Sequence, residues 1–253
     1  KHLDSLYVEY TKYGVVELKG EVLRPGKYNI LPGDDLYDVI KRAGGYTDFA
    51  YPLGGIITTE KAKKLQKDII EKSYNDIIQY IAQQPERMAY AQNIAPVLTE
   101  LKDLEPTGRV VAEFDLIEME KNPEKRILIN DKDQIYIPSM ERVVYVYGDV
   151  GNPTGIAFNE NNSLRDYIDL AGGQNRTADS KHIYVISPDG NSQIANFNNF
   201  LKLSLDNVEI YPGSLIYVPK EVGRAQGVNY YATIAPIFSS LALSLASLNS
   251  IND

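Results

Sequence analysis

Residues 16–45 read VELKGEVLRPGKYNILPGDDLYDVIKRAGG, and residues 144–173 repeat the pattern as VYVYGDVGNPTGIAFNENNSLRDYIDLAGG. Every matched position lies 128 residues after its counterpart, as Gly148 does after Gly20. Glycine and proline recur where the backbone must turn. A constant offset over the whole stretch predicts one supersecondary unit used twice in tandem.

The two units end alike but differ in length. Residues 134–138 read QIYIP and residues 215–219 read LIYVP, only 81 residues later, so the first unit is 47 residues longer. The surplus lies between Gly45 and Gln134, where residues 59–83 and 91–104 place apolar side chains at helical spacing. These side chains are Leu65, Ile69, Ile77 and Ile81, then Ile94, Val97, Leu98 and Leu101. We therefore predict a helical hairpin inserted at about 59–105, broken near Pro85 and with its apolar stripe buried.

Each unit reads as a small α+β domain. Residues 15–22 and 143–150 are rich in β-branched and aromatic residues and predict a first strand, followed by a short second strand at 27–30 and 155–158. A helix of about ten residues should then begin at the capping residues Asp35 and Ser163 and end at the paired glycines. Later segments, including 182–186 and the strand ending at Val218, complete the sheet. The pattern predicts a sheet that packs around one helix.

The doubled motif resembles a known family. G-[ED]-V, then P, then L-x-D-x-I-x-x-A-G-G and a closing [IV]-Y-[IV]-P is similar to the soluble-ligand-binding β-grasp (SLBB) domains of bacterial polysaccharide export proteins, over residues 14–220. The resemblance implies two tandem β-grasp domains at 1–140 and 141–222, with a C-terminal amphipathic helix at 223–253. The family's N-terminal export domain has no counterpart here and Lys1 is not an initiator Met, so we expect the C-terminal part of a longer precursor.

The resemblance also implies a function. Such a chain would be a non-enzymatic, passive, ring-forming conduit for capsule polysaccharide in the periplasm and outer membrane of a Gram-negative bacterium. Its partners would be copies of itself, the transported polysaccharide, an inner-membrane export partner and, through the C-terminal helix, the outer membrane.

Composition and charge limit the alternatives. A net charge of −8 argues against nucleic acid, because phosphate binding needs Lys and Arg clustered on one face. The basic run at 61–64 lies on a predicted helix that also carries Glu60, Asp68 and Glu71, as on a solvated helix face. With no cysteine, neither disulfides nor thiolate metal sites can form, and the redox compartment stays open.

No catalytic, cofactor or metal site is predicted. The chain has two histidines, and a Ser/His/Asp triad would rest on His182 alone, at the start of a predicted strand. Asp34 and Asp35 are adjacent carboxylates, but their counterparts are Asn162 and Ser163, which share a capping role and not an acid/base one.

The C-terminal tail carries no charged residue from Ala225 to Asn252. On a helix with 100° per residue, its large apolar side chains fall within about 40° of one line, and small polar ones gather opposite. We expect the apolar set to face lipid: Ile234, Phe238, Leu241, Leu245 and Leu248. We expect the polar set to face a lumen: Thr233, Ser240, Ser244 and Ser247. The 19 residues of 233–251 span roughly 28 Å of helix, close to the ~30 Å of bilayer hydrocarbon.

Three interpretations of the tail compete: an isolated transmembrane anchor, a helix docked on its own domain, and a helix packed beside copies of itself with leucine toward lipid and serine toward water. Segregated faces and missing charges together favour the third. The main functional alternative is a soluble β-grasp module that binds carbohydrate or a small ligand and uses the tail as a docking helix. The two functions differ in stoichiometry. A polysaccharide hydrolase is disfavoured because no carboxylate pair is shared by both units.

Overall fold

The computed structural model describes residues 14–82, 99, 102–103, 105–195 and 208–220, with residues 77, 80 and 81 described by their backbone only. Within these residues the fold is α+β, with two five-stranded sheets that follow one another along the chain. The first sheet consists of β1 Val15–Gly20, β2 Gly26–Asn29, β3 Ile56–Thr58, β4 Arg109–Val110 and β5 Gln134–Ile137. Its helices are α1 Leu36–Arg42, α2 Glu60–Ala82 and α3 Leu116–Lys121.

The second sheet repeats the first without the additional helices. It consists of β6 Val143–Gly148, β7 Thr154–Ala157, β8 Ile183–Ile186, β9 Ser192–Ala195 and β10 Leu215–Val218, with α4 at Leu164–Leu170. The strand orders are β2-β1-β5-β3-β4 and β7-β6-β10-β8-β9. In both sheets the closing strand runs parallel to the first strand, and every other pairing is antiparallel. The predicted duplication is therefore confirmed at the level of topology.

Each sheet packs one face against its short helix. Val16 and Leu18 of β1 alternate inward with Leu36 and Ile40 of α1, and all four are fully buried. The second core repeats this arrangement with Val144, Val146, Leu164 and Ile168. Because side chains alternate along a strand, the remaining residues of each strand lie on an outer face, turned away from the helix.

The helix starts are confirmed and several boundaries are corrected. Asp35 and Ser163 both form capping boxes with the carboxylate three residues later. The helices contain seven residues, not about ten, and the short second strands begin one residue earlier than predicted. The first strands end at Gly20 and Gly148 instead of at the following valines, because both glycines take a positive φ that breaks the strand.

The inserted helix is present, and in the single chain its predicted apolar stripe is not covered; burial against a neighbouring subunit stays a prediction. Leu65 and Ile69 of α2 are 59% and 44% exposed, so the predicted stripe is not buried there. A neighbouring line is half-buried instead: Ala62, Gln66 and Ile70. The side chains of Ile77 and Ile81 lie outside the description. Of the predicted return limb, Thr99, Lys102 and Asp103 are helical, and the remainder of 91–104 lies outside the described residues.

Candidate functional site

In both units the glycine of the duplicated motif lies in close contact with the backbone of the closing strand. We call this contact, Gly20 with Ile137 and Gly148 with Val218, the glycine crossing. Gly20 and Gly148 have φ of 83° and 95°, and a Cβ at either would lie 2.0 Å from the carbonyl oxygen of Ile137 or 2.1 Å from that of Val218. The same Cβ would lie 3.0 or 3.1 Å from Cε2 of Tyr136 or Tyr217, whose ring comes from the closing strand. The glycine of G-[ED]-V and the tyrosine of [IV]-Y-[IV]-P are thus two halves of one contact.

The carboxylates next to these glycines hold the loop that follows the helix. Thr47 donates its hydroxyl to Glu21, and Thr177 donates its hydroxyl to Asp149. Asn175 Nδ2 donates a second hydrogen bond to Asp149 at 3.0 Å. In the second unit Asp149 is only 5% exposed. The acidic residue of the motif therefore links the turn after the first strand to the loop after the helix through hydrogen bonds.

The other acidic candidates also have structural partners. Asp34 accepts hydrogen bonds from the backbone of Leu31 at 2.7 Å and from Arg42, while Asp35 caps α1. His182 contacts Asp179 through Nδ1 at 2.9 Å. In the part of the chain that the structure describes, no cluster of His, Cys, Asp or Glu is arranged to hold a metal ion.

A junction between the two units forms around Tyr51 and Arg109. Val110 packs into the first core, so Arg109 points to the outer face of the first sheet. From there its guanidinium donates to the carbonyl oxygen of Pro188, in the turn between β8 and β9. The hydroxyl of Tyr51 donates to the carbonyl oxygen of Pro212 at 3.0 Å, just before β10. We call this set of contacts the domain junction.

Burial shapes the electrostatics of the domain junction. It lowers the pKa of Arg109 to about 10, and the nearby Asp189 acts in the opposite direction. The side chain therefore stays cationic at neutral pH. Burial, then Tyr211 and Asp189, raise the pKa of Tyr51 to about 12, so its hydroxyl remains a donor. Gly190 lets the guanidinium approach, since a Cβ there would lie 3.2 Å from Arg109.

The inserted helix is fastened to the same strand. Gln66 of α2 accepts a hydrogen bond from the backbone of Gly108 at 2.8 Å and donates one to the carbonyl of Arg109 at 3.3 Å. The backbone of Thr59 donates to the carbonyl of Gly108 at 2.9 Å, so the two ends of the insertion lie side by side. Through β4, the root of α2 is linked directly to the domain junction.

Comparison with known families finds a match in the first unit. A family model described as the SLBB domain matches residues 15–57, the stretch from β1 to β3 that contains the glycine crossing and α1. A model described as the capsule biosynthesis GfcC C-terminal region matches residues 152–236, which runs from the second unit into the tail.

Comparison with curated proteins gives relatives of the same kind. Two sequences of the polysialic acid transport protein KpsD of Escherichia coli are each 26% identical to this chain over 159 residues. The aligned region covers 63% of this chain, and the chain spans about a quarter of the length of these relatives, 26%. The resemblance to polysaccharide export proteins, drawn from the doubled motif, is confirmed by these matches.

The predicted tail site lies outside the described residues. This applies to the lipid-facing set from Ile234 to Leu248 and to the lumen-facing set from Thr233 to Ser247. In the described part of the chain, we find no helix whose length and apolar character would let it cross a membrane.

The domain junction was not foreseen from the sequence. Arg109 follows the inserted segment, which has no counterpart in the second unit, so the internal comparison could not single it out. Tyr51 lies in a loop, and it is one of 19 tyrosines in the chain, so nothing in the sequence distinguished it. One signal was available: Gly108 and Arg109 stand where the helical pattern ends and a strand begins, a place where an insertion must be tied back to the sheet.

Proposed function

We propose that this chain is part of a polysaccharide export protein and forms a passive, ring-shaped conduit for capsule polymer in the periplasm and outer membrane of a Gram-negative bacterium. The observation that carries the proposal is the pair of family matches on one duplicated fold: an SLBB domain in the first unit and a capsule-biosynthesis region in the second. Similarity to a polysialic acid transport protein supports the same assignment.

In this proposal residues 1–140 and 141–222 are both β-grasp (SLBB) domains, stacked as successive layers of a collar. The shared strand order and the shared glycine crossing support treating the second unit as the same domain type. The domain junction would hold the layers in register, because its hydrogen bonds link the sheets through a half-buried arginine and a buried tyrosine. A collar that guides a polymer needs such fixed geometry more than it needs reactive groups.

The tail, residues 223–253, would be the membrane element. Copies of it would pack side by side with Ile234, Phe238, Leu241, Leu245 and Leu248 toward lipid, and with Thr233, Ser240, Ser244 and Ser247 toward the aqueous lumen. Energy for transport would come from an inner-membrane partner. Within the fold, hydrogen bonds engage four carboxylates: Glu21, Asp149, Asp34 and Asp35. This agrees with a conduit that performs no chemistry on its cargo.

Two matched substitutions test the tail in the intact exporter. Leu241→Asp places a charge on the lipid side and should abolish membrane association and export, because a charge at mid-membrane costs roughly 2.5 to 3.5 kcal/mol. Ser244→Asp places the same charge in the lumen and should be tolerated. Membrane fractionation and surface polymer measure both. Equal behaviour of the two variants would contradict the proposal.

A further inference from the structure

The first unit has two different lateral sides. The strand order places β2 at one edge of its sheet and β4 at the other. The chain passes from β4 into α3, and a Cβ at Gly55, just before β3, would lie 2.4 Å from the ring of Phe114, two residues before α3. The helix α3 therefore covers the β3–β4 side of the sheet, whereas the turn that leads into β2 lies at the opposite side.

The side that carries α3 is acidic. Residues 113–124 contain one lysine, Lys121, and five carboxylates: Glu113, Asp115, Glu118, Glu120 and Glu124. The neighbouring cations are already engaged, since Lys125 pairs with Glu118 and Arg126 lies 4.3 Å from the ring centroid of Tyr37. Glu120 and Glu124 are exposed, and between the charges Ile117 is 64% exposed. We call residues 113–124 the α3 flank.

The side that carries β2 is basic. Residues 23–27 contain Arg24 and Lys27, both exposed, and no carboxylate. Leu23 is 60% exposed beside them. Two hydrogen bonds hold this turn in place: the backbone of Leu23 donates to the carbonyl of Gly45 at 3.0 Å, and the hydroxyl of Tyr28 donates to the carbonyl of Arg24. We call residues 23–27 the β2 flank.

The fold itself does not require either flank. Leu23 corresponds to Gly151, which has no side chain, and Arg24 corresponds to the uncharged Asn152. Residues 196–207, which follow β9 as the α3 flank follows β4, contain one lysine and one aspartate. The second unit builds the same sheet without these charges and without these exposed apolar side chains. Their presence in the first unit therefore points to a contact beyond the domain.

We propose that the β2 flank of one copy of the chain packs against the α3 flank of the next copy, so that the first units form a closed layer. Leu23 and Ile117 would cover each other, and Arg24 would face the carboxylates around Ile117. Opposite charge favours this pairing, whereas two α3 flanks would repel each other. A contact between different patches on opposite sides of a subunit is heterologous, and it forms a ring when the rotation closes. This inference rests on the proposed function, since it names the surface through which the conduit assembles.

A charge swap in the intact exporter tests the contact. Arg24→Glu alone and Glu120→Arg alone should each lower the assembled fraction several-fold, because each places like charges in the contact. The two substitutions together restore opposite charges between neighbouring copies and should recover most of the assembly. Light scattering of the detergent-solubilised protein measures assembly, and circular dichroism checks that each variant folds. Arg176→Glu, at an exposed position of the second unit, is the matched control and should assemble like the parent.

The apolar part of the contact has its own matched variants. Leu23→Ser and Ile117→Ser should each weaken assembly, whereas Leu170→Ser, at a position of the second unit that is 59% exposed, should not. Full assembly of both single charge variants, or a combined variant as impaired as the single ones, would overturn this contact while the conduit stands. A parent protein that is itself monomeric in detergent would overturn the proposed function, and the contact with it.

Discussion

The two units share a sheet, a turn and a capped helix, but they diverge wherever the fold does not constrain the residue. Gly20 and Gly148 recur with the tyrosines that cover them, because any Cβ at these positions would collide with a carbonyl oxygen. Beside those tyrosines, Lys19 and Ile56 in the first unit correspond to Tyr147 and Tyr184 in the second. The comparison separates residues that the fold requires in both units from residues that differ between the units.

The rims of the units differ in the same way. The first unit exposes Leu23 and Phe49 by 60% and 74%, whereas the second has Gly151 and Thr177 at these places. Glu21 accepts a hydrogen bond from the hydroxyl of Thr47, and Asp149 accepts one from the hydroxyl of Thr177, so the hydroxyl comes from a different position in each unit. The carboxylate acceptor is retained, while the residues around it change.

The largest expected effect is at the glycine crossing. Gly20→Ala and Gly148→Ala should each lower the free energy of unfolding by roughly 3 kcal/mol or more, since left-handed strain alone costs about 1 to 2 kcal/mol and the carbonyl clash adds to it. Gly33→Ala and Gly173→Ala are matched controls, because both have positive φ but no atom within 4 Å of the added Cβ. Urea unfolding measures all four. If the crossing variants and the control variants lose the same free energy of unfolding, the close contact with the carbonyl oxygen is not what requires glycine at these positions.

The domain junction should show the next largest effect. Arg109→Ala leaves the Pro188 carbonyl without its charged donor, which should cost about 1 to 3 kcal/mol and separate the unfolding of the two units. Arg176→Ala, at an exposed position, should stay within about 0.5 kcal/mol of the parent. Calorimetry distinguishes one transition from two. A single unchanged transition in Arg109→Ala would show that the units are not coupled there.

Removing the insertion should affect assembly more than folding. Deleting residues 60–105 rejoins ends that already lie side by side, and among the described contacts it removes the two Gln66 bonds, worth about 0.5 to 1.5 kcal/mol each, and the packing of the half-buried Ala62 and Ile70. Circular dichroism should show both sheets intact, while the assembled fraction in light scattering falls. Complete loss of folded structure would mean that α2 is part of the first unit and not an addition to it.

The smallest effect is expected at the helix caps. Ser163→Ala should destabilise the chain by about 1 kcal/mol at neutral pH. Hydrogen bonds from Ser163 lower the pKa of Asp166 below its ordinary 3.8, so this stabilisation is present above that value and is lost as pH falls through the lowered pKa. The difference from the parent should therefore shrink in acid. A difference that stays constant in acid would rule out the capping box as its source.

The repeated unit could be predicted because its signals are local. Paired glycines, the caps at Asp35 and Ser163, and alternating strands act within a few residues, and two copies allowed each assignment to be checked against the other. The domain junction could not be predicted, because Arg109 contacts Pro188 across 79 residues and its register counterpart in the second unit is Ser192, which carries no charge. For α2, helical spacing predicted an apolar line through Leu65 and Ile69, but spacing does not determine which line a neighbour covers.

The central claim is that copies of this chain assemble into a conduit, and the mass of the detergent-solubilised protein tests it most directly. Light scattering, with the detergent contribution subtracted, should give one uniform integral multiple of the subunit mass, and Leu241→Asp should reduce that multiple while Ser244→Asp leaves it unchanged. A monodisperse monomer in detergent would contradict the conduit and indicate a single-subunit binding module instead.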